Sequence, residues 1–118
     1  MEIIILGTGT SQGIPVIGCN CFVCNSTDSR DKRLRTAALI KTRDASLVID
    51  AGPDFRQQML RIQNGVLDAI LITHAHKDHV GGLDDVRAYN WLQKKPMDVY
   101  AGIESKEAVM RELPYAFE

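Results

Sequence analysis

The chain predicts an α/β (α+β) fold: a mixed β-sheet carrying helices on one face. Three observations predict it. Short apolar runs rich in β-branched residues, such as Ile3-Ile4-Ile5-Leu6 and Leu47-Val48-Ile49, read as buried strands. Other stretches carry apolar residues three and four apart, the period of an amphipathic helix. The segments follow the order β, ββ, α, β, α, β, α, which interleaves strands and helices around one sheet.

Ile3 to Leu6 forms the first strand. A long segment from Gly7 to about Arg35 follows, and a connection of that length in a compact domain is usually functional or mobile. Thr36 to Thr42 and Ser46 to Asp50 read as two strands joined by the turn Arg43-Asp44-Ala45. Pro53 opens a helix, because its missing N–H costs nothing at a first helical position. Phe55, Met59 and Ile62 mark that helix's apolar face, and Gln63-Asn64-Gly65 stops it, with Gly65 able to take a left-handed cap.

Asp68 to Thr73 reads as the next strand. From Leu83 to about Gln93 a helix is expected, lined on one side by Leu83, Val86, Tyr89 and Leu92. Asp84 and Asp85 in its first turn and Lys94 and Lys95 at its end match the helix dipole. Tyr89 and Trp91 are expected in the core or at its edge. Pro96 stops this helix, Met97 to Ala101 alternates as a strand, and Ser105 to Leu113 reads as the last helix.

Composition bounds the function. At 118 residues one domain is expected, spanning 1–118. The net charge is −1, which offers no general attraction to nucleic acid or to an anionic membrane. No apolar run approaches the roughly 20 residues of a membrane-spanning helix. Met1 to Leu6 lacks the basic start of a signal peptide, so a cytoplasmic protein is expected.

The run Thr73-His74-Ala75-His76-Lys77-Asp78-His79 carries all 3 histidines of the chain. Imidazole and carboxylate suit zinc and neighbouring divalent metals, manganese and iron included. The run follows the apolar strand Ala69-Ile70-Leu71-Ile72, and strand ends are where open α/β folds place their sites. In extended backbone, residues two apart point the same way, so His74 and His76 can reach one metal. Asp78 and His79 come after the chain begins to turn, where a second metal can sit. The alternative is a polar loop whose histidines only hydrogen-bond.

Cys19, Cys21 and Cys24 form a second cluster. An odd count within six residues argues against a disulfide framework and suits a structural zinc. Three ligands leave a closed zinc site one short. Water, a carboxylate or a neighbouring chain can supply the fourth, and the competing reading is three reduced thiols. Gly7-x-Gly9 fits a tight turn better than a dinucleotide fingerprint, because the third glycine falls at Gly13 without a helix after it. Arg30-Asp31-Lys32-Arg33-Leu34-Arg35 is locally basic, either a solvated loop or a run that steers a phosphate ester. Asp50 either orients the metal loop as a hydrogen-bonding support or simply ends a strand.

His74-x-His76-x-Asp78-His79 with Gly82-Leu83, Leu47 to Gly52, and Ile4 to Pro15 resembles the metallo-β-lactamase-fold hydrolases. Gly18-Cys19-Asn20-Cys21-Phe22-Val23-Cys24 adds a resemblance to that superfamily's cyclic-phosphate phosphodiesterases of phosphonate breakdown. The resemblance covers essentially this whole chain but about half of the family's domain. It implies the N-terminal half of an αββα sandwich and a dinuclear zinc or manganese site, with a bridging hydroxide attacking a small phosphate ester. His74 and His76 would hold one metal, Asp78 and His79 the other. Asp78 would be the catalytic residue that orients the hydroxide, and Asp50 would support the ligands.

The resemblance implies further ligands that this chain does not contain, including a histidine for the cysteine zinc. The chain therefore reads as truncated and, alone, weakly active or inactive. An isolated half is expected to associate as a homo-oligomer or strand-exchanged dimer. Two alternatives remain at this point. One is an endonuclease resembling the tRNA 3′-end processing enzymes, although the charge makes nucleic acid a poor fit. The other is a non-catalytic metal-binding half that complements a partner chain.

Overall fold

The computed structural model describes residues 1–117. Strand β1 spans Glu2–Gly7, β2 Ala37–Lys41 and β3 Ser46–Ile49. Helix α1 (Phe55–Ile62) leads to β4 (Ala69–Leu71), followed by the single-turn helix α2 (Lys77–Val80). A 3-10 turn, Leu83–Val86, runs directly into α3 (Arg87–Gln93). Strand β5 (Asp98–Tyr100) and α4 (Ile103–Glu112) complete the described elements, with 3-10 turns at Ser29–Asp31 and Pro114–Phe117. Among the described residues, no helix is long and apolar enough to cross a membrane.

The five strands lie in sequence order, β1-β2-β3-β4-β5. β1, β2 and β3 pair antiparallel, whereas β3, β4 and β5 pair parallel through helical crossovers. The mixed sheet expected from the segment order is therefore present. One register row crosses it: Ile4, Leu39, Val48, Ile70 and Val99 sit side by side. Leu39, Val48 and Ile70 are fully buried. Helices cover this face with Phe55 and Met59 from α1, Val86 and Tyr89 around the start of α3, and Val109 from α4. Phe55 and Tyr89 meet edge to face, ring centroids 6.4 Å apart.

The opposite face carries the row Ile5, Ala38, Ile49, Leu71 and Tyr100. Ile3, Ile5 and Tyr100 on this face are each more than half exposed. Strand alternation thus places apolar residues on both faces, and helices cover one.

Several local expectations are corrected. Helix α1 stops at the start of the expected Gln63-Asn64-Gly65 run, but Gln63 and not Gly65 takes the left-handed conformation (φ 52°). The Gln63 and Asn64 amides close onto Leu60 and Met59 carbonyls, so the stop comes as soon as the apolar face runs out at Ile62. Trp91 is 79% exposed and Leu92 is 60% exposed, so neither belongs to the core. The inward line of α3 runs from Val86 through Tyr89 to Gln93, whose amide bonds both the N–H and the C=O of Leu67. Trp91, two residues from both Tyr89 and Gln93, is turned to solvent by the helical period. The last helix begins at Ile103, two residues before the expected Ser105.

The segment from Gly7 to Arg35 is not a free loop. Ile14 and Arg33 form an antiparallel bridge, and the amides of Gly9 and Thr36 bond to Leu34 and Thr10 carbonyls. Gly7 and Gly9 permit this, because a Cβ at either would lie within 2.5 Å of the Arg33 or Arg35 carbonyl oxygen. Their role is close backbone approach, in keeping with the tight-turn reading.

Candidate metal centre

The centre forms where β3 and β4, parallel neighbours, both end. The Asp50 amide still bonds to the Leu71 carbonyl, and the Ile72 amide to Tyr100. Beyond that point Asp50 turns into the left-handed region with φ 67°, uncommon for a residue that is not glycine. Ala51 and Gly52 then pass beneath α2. The Ala51 amide bonds to the His79 carbonyl, and the Gly82 amide bonds to the Ala51 carbonyl. A Cβ on Gly52 would lie 2.0 Å from the Asp78 carbonyl oxygen, and one on Gly82 would lie 2.0 Å from that of Gly52. Both glycines are required for the two segments to lie in contact.

Asp50 is buried and its carboxylate collects three donors. Oδ1 accepts from the Thr73 amide at 2.8 Å, and Oδ2 accepts from the Thr73 hydroxyl at 2.7 Å. Nδ1 of His79 lies 2.7 Å from the same Oδ2. A carboxylate has no proton to give, so His79 donates from Nδ1. Thr73 spends its one hydroxyl proton on Asp50, so its 3.0 Å contact with Nδ1 of His74 needs the imidazole as donor. One carboxylate therefore sets the tautomer of two histidines, directly at His79 and through Thr73 at His74. In both, Nε2 is left with a lone pair free to ligate.

Nε2 of His79 faces Oδ2 of Asp78 at 2.9 Å. Both atoms are acceptors in these protonation states, so the pair repels unless a proton or a cation lies between them. That donor set suits a divalent metal. His74 lies between the other two histidines, its ring centroid 4.5 Å from that of His76 and 4.0 Å from that of His79. The structure thus sets the rings of His74, His76 and His79 side by side, with Asp78 against His79 and Asp50 bonded to His79 and Thr73, but among the described residues no three ligand atoms of this set converge as closely as those of the cysteines do. His76 is the extended residue that caps α2, and Asp78 and His79 occupy the helix's single turn. Thr73, Gly52 and Gly82 carry roles that the sequence reading did not assign. The signal for Thr73 was a hydroxyl directly before the first histidine.

The cysteines also converge. Sγ atoms of Cys19, Cys21 and Cys24 lie within 4.8 Å of one another, the one such group of three metal-ligating side chains among the described residues. The Cys24 amide donates to Cys21 Sγ at 3.4 Å, and the Val16 amide donates to Cys24 Sγ at 3.4 Å. The Cys24 amide, helped by the neighbouring thiols, lowers the Cys21 pKa to about 7. At Cys24 the Val16 amide acts downward, but the Cys19 and Cys21 thiols and burial together raise it. Three soft donors, one of them readily deprotonated, suit zinc; a tetrahedral site needs one more ligand.

The beta-lactamase superfamily domain matches residues 46–118. An octanoyltransferase of Porphyromonas gingivalis is 49% identical over 119 residues, covering 99% of this chain and 24% of that protein. Its name describes a much longer polypeptide than the matched stretch. A crystal structure of a diphosphatase from the PhnP family superposes with a TM-score of 0.93 at 39% identity, covering 98% of this chain and 46% of that one. Zinc-bound PqqB from Methylobacterium extorquens superposes with a TM-score of 0.73 at 25% identity, covering 98% of this chain and 40% of that one. The chain spans less than half the length of each. The fold, the sheet order and the match over its latter part agree: the chain belongs to the beta-lactamase superfamily domain family, within the metallo-β-lactamase fold.

Proposed function

We propose that this chain carries the first metal-binding half of a phosphodiesterase, a hydrolase that works through a dinuclear zinc or manganese centre. The observation that carries the reading is the Asp50 hub. It fixes His74 and His79 with Nε2 free, and it sets His79 against the Asp78 carboxylate. The PhnP-family diphosphatase, similar over nearly the whole chain, supports hydrolysis at phosphorus, and the phosphodiester is proposed from the resemblance of the Gly18 to Cys24 run to the cyclic-phosphate phosphodiesterases.

Divalent metals held here would supply Lewis acidity and a hydroxide nucleophile near neutral pH. The chain's own residues do the positioning. His74 and His76 present Nε2 and imidazole donors at the strand end, while Asp78 and His79 present theirs from the first turn of α2. Asp78 also accepts a proton or hydrogen bond from the attacking water and aligns it. Asp50 keeps the Nδ1 protons in place, so neither histidine can turn its protonated nitrogen toward the metal. Remaining ligands, and the acid that protonates the leaving oxygen, are assigned to a segment or partner beyond this stretch. The cysteine cluster is proposed as a separate structural zinc site, completed in the same way.

The test is hydrolysis of a chromogenic phosphodiester by the chain, alone and mixed with a C-terminal segment of a PhnP-family relative, in zinc or manganese. Activity that appears on mixing and disappears in Asp78→Ala supports the reading. Activity retained by Asp78→Ala removes Asp78 from the mechanism. No activity with either metal and either mixture rejects the phosphodiesterase assignment.

A further inference from the structure

A shallow cavity of about 260 Å³ lies where β1 ends and the Ser29 to Leu34 segment crosses it. Arg30, Lys32, Arg33 and Arg61 line it together with the hydroxyl-bearing Thr8 and Ser29, and no carboxylate does. Arg30 is paired with Asp28, and Asp31 lies in the same 3-10 turn. The other three cations have no carboxylate partner among the described residues. Lys32 donates to the Ser26 carbonyl at 2.7 Å. Arg33 donates to the Thr8 hydroxyl at 2.7 Å and to the Arg30 carbonyl at 3.0 Å. Two neutral acceptors therefore orient the Arg33 guanidinium and leave its charge uncompensated, with N–H groups to spare. Gly7 and Gly9 make the cavity possible, since side chains there would drive the segment off the strand.

The cavity lies at the same end of the sheet as the metal centre. Gly7 is level with Ala37, and Ala38 is level with Ile49, the residue before Asp50. Two strand spacings, about 10 Å, separate β1 from β3 and Asp50, and a third leads to β4, after which the histidines lie, so the cavity and the ligands are about 14 Å apart across the sheet. We propose that this cavity is a phosphate-binding site, which holds a second, non-cleaved phosphate of the substrate while the scissile one lies at the metal centre. Guanidinium forks without carboxylates suit a phosphate dianion, and a cationic concavity concentrates one. Asp28, paired with Arg30, and Asp31, in the same turn, with a chain charge of −1, favour a small anion over an extended nucleic-acid track. The assignment of the second phosphate rests on the proposed hydrolase reading, but the anion site itself does not require it.

The experiment is calorimetric titration of the purified chain with inorganic pyrophosphate at low salt, with a chelator present to remove metals. Wild type and Asp78→Asn are expected to bind alike. Arg33→Gln and Arg61→Gln are each expected to weaken binding on the order of tenfold, the loss of charge-assisted hydrogen bonds. Arg33 also props the loop, so Arg61→Gln, which loses no protein hydrogen bond, is the cleaner variant; circular dichroism checks both folds. No binding by wild type overturns the site, as does affinity unchanged in the double variant or lost in Asp78→Asn. A short single-stranded RNA that binds far more tightly than pyrophosphate through the same arginines overturns it in favour of a nucleic-acid surface. Pyrophosphate binding together with failure of the hydrolysis assay would leave the anion site standing and remove only its link to the substrate.

Discussion

Asp50 is the residue on which the candidate metal centre turns, because one buried carboxylate accepts from the Thr73 amide, the Thr73 hydroxyl and His79 Nδ1. Asp50→Asn would present an amide N–H where an acceptor is needed and free the tautomer of both histidines. Metal affinity is expected to fall by about 10–100-fold, with the fold intact, in a zinc titration followed by a chromogenic chelator. Gly52→Ala should act differently. Its Cβ meets backbone, which cannot rotate away, so a loss on the order of 1–3 kcal/mol is expected in urea unfolding. The cysteines should react unequally. Cys21, with its pKa near 7, is deprotonated first as pH rises, whereas Cys24 stays protonated to higher pH. Alkylation mapped by mass spectrometry should label Cys21 ahead of Cys24 at neutral pH, and added zinc should protect both.

At the scale of elements, the crossover through α1 and the turn into α2 decide the site. Phe55 is fully buried at the start of α1, against Tyr89, and lies directly under Gly82. Phe55→Ala would open a cavity below the metal turn, with an expected loss of about 3–5 kcal/mol by thermal or urea unfolding. The helix assignments were legible because Phe55, Met59 and Ile62 keep a helical period with no competing strand pattern. The boundaries were less so. Gly65 has the stronger preference for a left-handed cap, but hydrogen bonding to the Met59 and Leu60 carbonyls puts that conformation at Gln63, the first residue of the Gln63-Asn64-Gly65 stop. Leu92 reads as core by its three-residue spacing after Leu83, Val86 and Tyr89, and Trp91 reads as core or its edge, yet both are exposed. Gln93 took the inward position because its amide satisfies both backbone groups of Leu67, which burial would otherwise leave unpaired.

At the scale of the whole molecule, the sheet has one face packed by helices and one open. Ile3, Ile5 and Tyr100 stand in the open face beside half-buried Ile40, Leu47, Ile49 and Leu71. Apolar surface of that continuity drives association. The isolated chain is expected to self-associate as a homo-oligomer or strand-exchanged dimer, with Ile5→Lys shifting it toward monomer, by light scattering. A clean monomer across concentration would reject that expectation.

The residue types of the His74 to His79 run, their place at a strand end and the mixed α/β order were all determined by local sequence. They depend on side-chain chemistry and on periods of two and 3.6, which need no distant contact. Tertiary structure alone decided that Asp50, 23 residues before Thr73 and 29 before His79, is the common acceptor that sets their protons. It also decided that Gly52 and Gly82 are contact points, and that Arg33 and Arg61 line one cavity. Those relations arise only when parallel strands bring separate segments to the same sheet end, and no spacing along the chain encodes them.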